Sequence, residues 1–140
     1  MPDRNQVAAE KFGKLVVEKI KDAPLEWFDV RIKGKGRSAL DQGGHHELAK
    51  LSKPVQDLIR DCINSAVSTS MFDFLSSLNE MHDIDGDVTI AVNGVDIFSV
   101  NEDGLHYELL GEEGWEVKYS KYPSSEEIDE KYALIHKNSQ

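Results

Sequence analysis

The sequence predicts an α+β fold, a four- to five-stranded antiparallel meander with helices packed on one face of the sheet. Long segments repeat apolar residues at spacings of three and four, which is typical of amphipathic helices. Residues 88–119 alternate apolar and polar positions instead, which is typical of half-buried strands. Glycine-containing turns separate these alternating runs, as they do in a meander.

The first helix is predicted over residues 4–22. Ala8, Phe12 and Val16 fall on one face at helical spacing, with polar residues between them. Pro24 follows this segment, and proline is common just beyond a helix end. We therefore expect the helix to end before Pro24.

Residues 27–33 are predicted to form the first strand, followed by a long loop. Phe28 and Ile32 share one face of an alternating pattern, and charged Arg31 lies on the other. The next segment, 34–47, contains four glycines and no clear periodicity. Long loops in compact domains are usually functional or disordered, so this loop is a candidate site.

The strongest helical pattern runs from Pro54 to Met81. Proline is tolerated in a first helical turn, and Ser52 is a suitable cap before it. A wide apolar stripe predicts that this is the central core helix and that Cys62 is buried on it. Residues 68–70 are Ser-Thr-Ser, whose hydroxyls offer the backbone other hydrogen bonds. A bend or a break into two helices is therefore expected there.

Residues 88–119 are predicted to be mostly strand. Asn93-Gly94 is the favoured two-residue hairpin turn, because both positions need positive φ. Ser124 and Glu127 form a capping-box pattern, which predicts a short final helix. The predicted strands of the meander cover residues 88–92, 95–99, 105–109 and 115–119.

The length of the chain suits one domain, and we predict a single domain over residues 1–140. Folding at this size buries about two thirds of the extended chain's surface, which supports a core without cross-links. Cys62 is the only cysteine, so neither an intrachain disulfide nor a cysteine metal cage is expected. No apolar leader is visible, and no apolar run reaches the roughly 20 residues of a membrane span. We expect a cytoplasmic protein.

The negative charge is concentrated in one segment. The chain has 26 acidic and 16 basic residues, for a net charge of −10. Residues 83–116 contain ten of the acids and no Lys or Arg, so the rest of the chain is neutral. An acidic field repels nucleic acid and anionic membranes and attracts basic partners. We therefore predict a basic protein partner, with neither nucleic acid nor membrane as a partner.

On the predicted meander, this charge lies on the outer face of the sheet. His106 is expected beside carboxylates there, with a raised pKa, because carboxylates favour the imidazolium. Phe98 and Tyr107 are candidate aromatic anchors for a partner. The candidate partner-binding residues are Asp96, Glu102, Asp103, His106, Glu108, Glu112, Glu113 and Glu116.

Motifs for catalysis or metal binding are incomplete. Residues 83–87 alternate three carboxylates, but the sixth and twelfth places of an EF-hand loop would be Val88 and Gly94. Adjacent His45 and His46 lack the spacing of two ligands on one face. The phosphate-binding glycine patterns are also absent. We predict no catalytic residue, no cofactor and no metal ion.

One stretch near the C-terminus resembles known sequences. Asp103-Gly104-Leu105, then Gly114-Trp115, then the run 119–123 (Tyr-Ser-Lys-Tyr-Pro) is similar to the C-terminal segment of small uncharacterised bacterial proteins. The resemblance covers about a fifth of the chain. It implies no activity and assigns no site residue.

These observations favour a non-enzymatic protein–protein interaction module whose acidic sheet face, residues 83–116, binds a basic partner. Bacterial immunity proteins, small acidic α+β proteins that neutralise basic toxins, are similar in general character, so an immunity-type inhibitor is one form of this hypothesis. Two alternatives stay open. One is a structural or oligomeric subunit. The other is a small-ligand or metal-dependent enzyme that uses the 34–47 loop with Asp41, His45 or His46.

Overall fold

The structure is a computed structural model that describes residues 3–140, apart from the side chains of Asp41, Gln42, Gly44 and His45. Two strands, β1 (Ala91–Val92) and β2 (Val95–Asp96), form one antiparallel hairpin. Two 3₁₀ helices (Ile97–Val100 and Leu105–Leu109) and two π-helical turns (Val17–Asp22 and Met81–Asp85) complete the regular structure of the described chain. The α-helices are α1 (Arg4–Val16), α2 (Ala23–Ile32), α3 (Ala39–Lys50), α4 (Lys53–Glu80), α5 (Trp115–Tyr119) and α6 (Ser125–Asn138).

The predicted α+β meander is wrong. The chain is 73% helical, and the sheet in its described part has two strands of two residues each. The Asn93-Gly94 turn of the hairpin is confirmed, with φ of 53° and 77°. Beyond it, backbone groups find side-chain partners instead of a neighbouring strand. Asp96 accepts from the Phe98 amide at 3.0 Å, and Asn79 Oδ1 accepts from the Leu105 amide at 2.9 Å.

The predicted strand at 27–33 is also wrong, because this segment lies in α2. The expected helix end before Pro24 is also wrong, since Asp22 and Ala23 have right-handed helical angles and a π-helical turn leads directly into α2. Leu25 and Phe28, three residues apart, are the buried positions of α2. Trp27 and Val30 remain exposed. The alternation in the sequence therefore does not match the face that is buried.

Most of the predicted 34–47 loop belongs to α3, which includes Gly43 and Gly44. Gly34 ends α2 with φ of 71°, and its amide donates to Arg31 O at 2.9 Å. This is the left-handed position at which glycine commonly ends a helix. The irregular part of the connection is therefore shorter than predicted.

The long central helix is confirmed as α4, which has 28 residues and so a length of about 42 Å. The expected bend at residues 68–70 is absent, since α4 is continuous there. Thr69 and Ser70 donate their hydroxyls to carbonyls one turn earlier within the helix. The buried residues of α4 are Asn64, Ser68, Met71, Leu75 and Asn79.

The buried face of α4 differs from its apolar stripe. Near the middle of the helix, polar Asn64 and Ser68 are buried, whereas Leu58 and Cys62 in its first half are exposed. The prediction that Cys62 is buried is therefore wrong. A helix that turns polar residues inward and apolar residues outward needs a polar partner inside the fold.

The core is built around Trp115, which is fully buried. Phe12 meets the indole edge-on at 6.3 Å between ring centroids. Gly13 of α1 passes so close that a Cβ there would lie 2.2 Å from the indole. Met71 and Leu75 of α4 complete the same apolar cluster with the 3₁₀ residues Leu105 and Leu109.

The final helix is confirmed. Ser124 caps α6, and its Oγ accepts from the Glu127 amide at 3.2 Å, as the capping pattern predicts. The helix continues to Asn138 and packs along α4. The N-terminal half of α6 and the turn at 110–114 form the region described next.

Candidate functional site

Two neighbouring cavities flank the first turns of α6. Ser124 lies in the wall of one cavity, and Ser125 lies in the wall of the other. The turn before α5 contributes to both, through Gly111 to the first and Leu110 to the second. The capped start of α6 therefore separates two small sites of different character.

The first, called here the acidic cavity, has a volume of about 310 Å³. Four carboxylates line it, together with one apolar side chain and small residues, and its lining contains no Lys, Arg or His. Glu126 Oε1 accepts from the Gly111 amide at 3.0 Å, which holds the turn against the helix. Its lining residues are Gly111, Glu112, Val117, Ser124, Glu126, Glu127 and Glu130.

Local helix chemistry explains part of this arrangement. Glu126 and Glu127 lie in the first turn of α6, where carboxylates interact favourably with the positive end of the helix dipole. Glu130 lies four residues after Glu126 on the same face, and like charges at that spacing cost a few tenths of a kcal/mol. Glu112 adds a fourth negative charge from the turn. A cation bound there would relieve this repulsion.

The second, called here the hydroxyl cavity, has a volume of about 210 Å³ and lies between α4 and α6. Four hydroxyl side chains, two carboxylates and two apolar side chains form its wall. These residues are Ser65, Ser68, Thr69, Phe72, Leu110, Glu116, Ser125 and Asp129.

The buried carboxylate of Glu116 organises this second cavity. Its side chain is 4% exposed, and its Oε2 lies 3.0 Å from Nζ of the fully buried Lys21. The same oxygen accepts from Ser68 Oγ at 3.3 Å and from the Ser125 amide at 3.0 Å. Lys21 also donates to Pro123 O at 2.8 Å. The polar face of α4 packs against this ion pair, which explains why Ser68 is buried.

The predicted partner-binding residues do not share one face, because the sheet that was to present them is not formed. Glu102, Asp103, Glu112 and Glu113 are exposed, and Asp96, His106 and Glu108 are half-buried. Glu116 is buried in its ion pair with Lys21. Of these eight, Glu112 reaches the acidic cavity and Glu116 reaches the hydroxyl cavity. Of the two candidate anchors, Phe98 is buried and Tyr107 is exposed.

The expectation for His106 is wrong. Its ring packs edge-on against Phe72 at 4.9 Å, and burial lowers its pKa. His82 is instead the histidine beside carboxylates, with Nδ1 2.9 Å from Asp83 and Nε2 3.2 Å from Asp96. The hydrogen bond with Asp83, together with Asp96, raises the pKa of His82.

The histidines of the predicted loop do not form a described site. His46 is exposed on α3. The side chains of Asp41 and His45 lie outside the described residues. Among the described residues, no group of three or more His, Cys, Asp or Glu side chains has an arrangement that could hold a metal ion.

Sequence reasoning missed the α6 carboxylates and Lys21. Glu126, Glu127 and Glu130 follow two lysines, so they fell outside the acidic segment that ended at 116. Acidic residues directly after a capping serine were the available signal. Lys21 gave no local sequence signal, because its partner Glu116 lies 95 residues away in the chain.

Comparisons with protein-family models, with curated proteins and with solved structures find no match to this chain. Within residues 3–140, none of the helices has both the length and the apolar character to cross a bilayer.

Proposed function

We propose that this protein is a non-enzymatic interaction module whose acidic surface binds a basic partner protein. The observation that carries the proposal is the acidic cavity, which is lined by Glu112 and three glutamates of α6 and has no Lys, Arg or His in its lining. The surface is not a sheet face, as the sequence suggested, but the junction of the 110–114 turn with α6. Exposed Glu113 extends it at the turn.

Electrostatics favours a basic partner for this surface. The net charge of −10 attracts basic proteins and accelerates their approach. A partner that brings lysine or arginine to this cavity would compensate the charge of its four carboxylates. An immunity-type inhibitor of a basic bacterial toxin is one form of this function.

A cytoplasmic location suits the proposal, because a single exposed cysteine such as Cys62 is typical of reducing compartments.

Charge reversal tests the proposal. Tagged protein is incubated with native cell lysate, washed at low salt and eluted at high salt. A triple variant, Glu112→Lys, Glu126→Lys and Glu130→Lys, is expected to lose the basic partner that the natural chain retains. The control reverses three exposed acids elsewhere, Asp73→Lys, Glu80→Lys and Asp85→Lys, with the same change in net charge.

Comparing the two variants distinguishes binding at the acidic cavity from attraction by the net charge of the whole chain. Loss of the partner in the acidic-cavity variant, with retention in the control, supports the proposal. Equal retention by both variants, both of them folded by circular dichroism, would refute a role for this cavity. Equal loss in both would show that net charge alone attracts the partner.

A second candidate function is that of an oligomeric subunit, and the α4–α6 groove favours it. This groove has a volume of about 240 Å³ and contains exposed Leu58 and Cys62 between the two helices. Asp61 and Asp129 also line this groove, and Leu134 and Ile135 are exposed further along α6. The accessible surface of 8882 Å² exceeds the roughly 7,300 Å² expected for a monomer of this mass.

That excess is about twice the roughly 800 Å² that each partner contributes to a standard interface. The occupant this observation favours is a second copy of the chain. Light scattering after size-exclusion chromatography tests it, with Leu58→Asp as the variant. A dimer that dissociates in the variant supports self-association, and a monomeric natural chain at high concentration contradicts it.

A further inference from the structure

We propose that the hydroxyl cavity binds one lysine side chain, whose ammonium group lies between Glu116 and Asp129. The inference deepens the proposed function and rests on it, because the basic partner would supply the lysine. The cavity, at about 210 Å³, is smaller than the roughly 300–1,000 Å³ of pockets for drug-sized ligands. It therefore fits a group of the size of one side chain.

The two oxygens of Glu116 are used unequally. Oε2 receives three donors, from Lys21, Ser68 and the Ser125 amide. Within the described chain, Oε1 receives none. Oε1 is not among the fully buried atoms that lack a hydrogen bond, so the cavity that Glu116 lines leaves this oxygen accessible to a donor. A donor that enters the cavity would satisfy this oxygen.

The charge balance of the cavity indicates a ligand with one positive charge. Lys21 neutralises Glu116, and its Nζ already donates to Glu116 and to Pro123 O. Asp129 is exposed and forms no ion pair with a described side chain, so the cavity lining and Lys21 together carry one net negative charge. One monovalent cation therefore makes the cavity neutral.

The geometry favours an ammonium over a guanidinium. Because Oε2 is occupied, Glu116 cannot accept the two parallel hydrogen bonds that an arginine fork makes with a carboxylate. A lysine ammonium has three independent donors, which suit Glu116 Oε1, Asp129 and one wall hydroxyl. Phe72 and Leu110 give the aliphatic stem an apolar surface.

A pair of matched probes tests the site without the partner. N-acetyl-lysine methylamide and N-acetyl-norleucine methylamide differ in the terminal ammonium and share the aliphatic stem. Each is titrated into the full chain while amide signals of Ser68, Thr69 and Ser125 are followed by NMR. We expect saturable shifts with the lysine probe and about tenfold weaker binding of the norleucine probe, as one charged hydrogen bond predicts.

Asp129→Asn is the test variant, and Asp73→Asn is its control. Both change one exposed helical aspartate to its amide, but Asp73 does not line the cavity. We expect Asp129→Asn to weaken binding of the lysine probe several-fold, while Asp73→Asn leaves it unchanged.

Three results would overturn the lysine site. These are equal affinity for the two probes, an equal effect of the two variants, and the absence of saturable shifts at the three amides. None of them bears on the proposed function, which is tested by charge reversal at Glu112, Glu126 and Glu130, outside this cavity. Loss of partner binding in that triple variant with normal binding of the lysine probe would likewise separate the two.

Discussion

Lys21 and Glu116 form an ion pair 3.0 Å long whose two side chains are 0% and 4% exposed. The pair joins the π-helical turn after α1 to α5. Ser68 of α4 and the amide of Ser125 in α6 bond the same carboxylate oxygen. Four segments of the chain therefore meet at one atom, and the hydroxyl cavity opens beside it.

Removing the lysine of this pair should destabilise the fold strongly. Lys21→Met leaves the Glu116 carboxylate buried without its counter-charge, and breaking such a pair costs about 3–5 kcal/mol. The double variant Lys21→Met with Glu116→Gln should recover a large part of that loss, because no buried charge remains. Urea unfolding followed by circular dichroism measures both. Equal stability of the single variant and the natural chain would contradict a structural role for the pair.

Gly13 should be intolerant of a side chain. A Cβ at this position would lie 2.2 Å from the Trp115 indole, and overpacking of this kind typically costs about 1–3 kcal/mol. Gly43→Ala is the matched control, since its added Cβ would meet no atom within 4 Å. In α3 that change should stabilise the helix by about 0.5–1 kcal/mol. Thermal unfolding should therefore move in opposite directions for the two variants.

The pKa of His82 should lie above the ordinary histidine value, and the pKa of His106 should lie below it. The hydrogen bond with Asp83, together with Asp96, raises the pKa of His82, whereas burial lowers the pKa of His106. NMR titration of the ring signals measures both directly. A lower pKa for His82 than for His106 would contradict the described contacts.

These shifts set the sign of the pH dependence of stability. A raised pKa in the folded state means that the His82 contribution is fully present below its unfolded pKa and is lost as the pH rises through the folded value. The lowered pKa of His106 has the opposite effect, because its contribution is lost as the pH falls through the folded value. Replacing His82 by Gln should therefore reduce stability more at pH 5.5 than at pH 8.5, measured by urea unfolding.

The exposed thiol of Cys62 should react without unfolding. Its side chain lies in the α4–α6 groove and is accessible in the described structure. Ellman's reagent should therefore modify the folded protein in full, in the absence of denaturant. A thiol that reacts only at low protein concentration would indicate that a second copy covers the groove, and a thiol that reacts only in urea would contradict its exposure.

Local signals in the sequence were sufficient for some elements. The length of the α4 pattern, the capping pattern at Ser124 and the Asn93-Gly94 turn each depend on residues close in the chain, and each is confirmed. The meander failed because five-residue runs are ambiguous. Leu105 and Leu109 fit one face of a strand, yet both lie buried in a 3₁₀ helix.

Part of the candidate site lies within the acidic segment of the sequence. That segment includes Glu112, which lines the acidic cavity, and Glu116, whose surroundings depend on distant residues. Neither Lys21, 95 residues away, nor Ser68, 48 residues away, can be linked to Glu116 from periodicity. The polar buried face of α4 was missed for the same reason, because Ser68 is inside only where a buried carboxylate meets it.

The affinity of the partner for the acidic-cavity variant shows whether the partner binds at this cavity. Once the salt-eluted partner is identified, calorimetric titration at two ionic strengths compares the natural chain with the Glu112→Lys, Glu126→Lys and Glu130→Lys variant and with the Asp73→Lys, Glu80→Lys and Asp85→Lys control. The account predicts at least tenfold weaker binding by the acidic-cavity variant, a loss of about 1.4 kcal/mol or more, and a smaller loss in the control. Equal affinity of the acidic-cavity variant and the natural chain at both ionic strengths would contradict it.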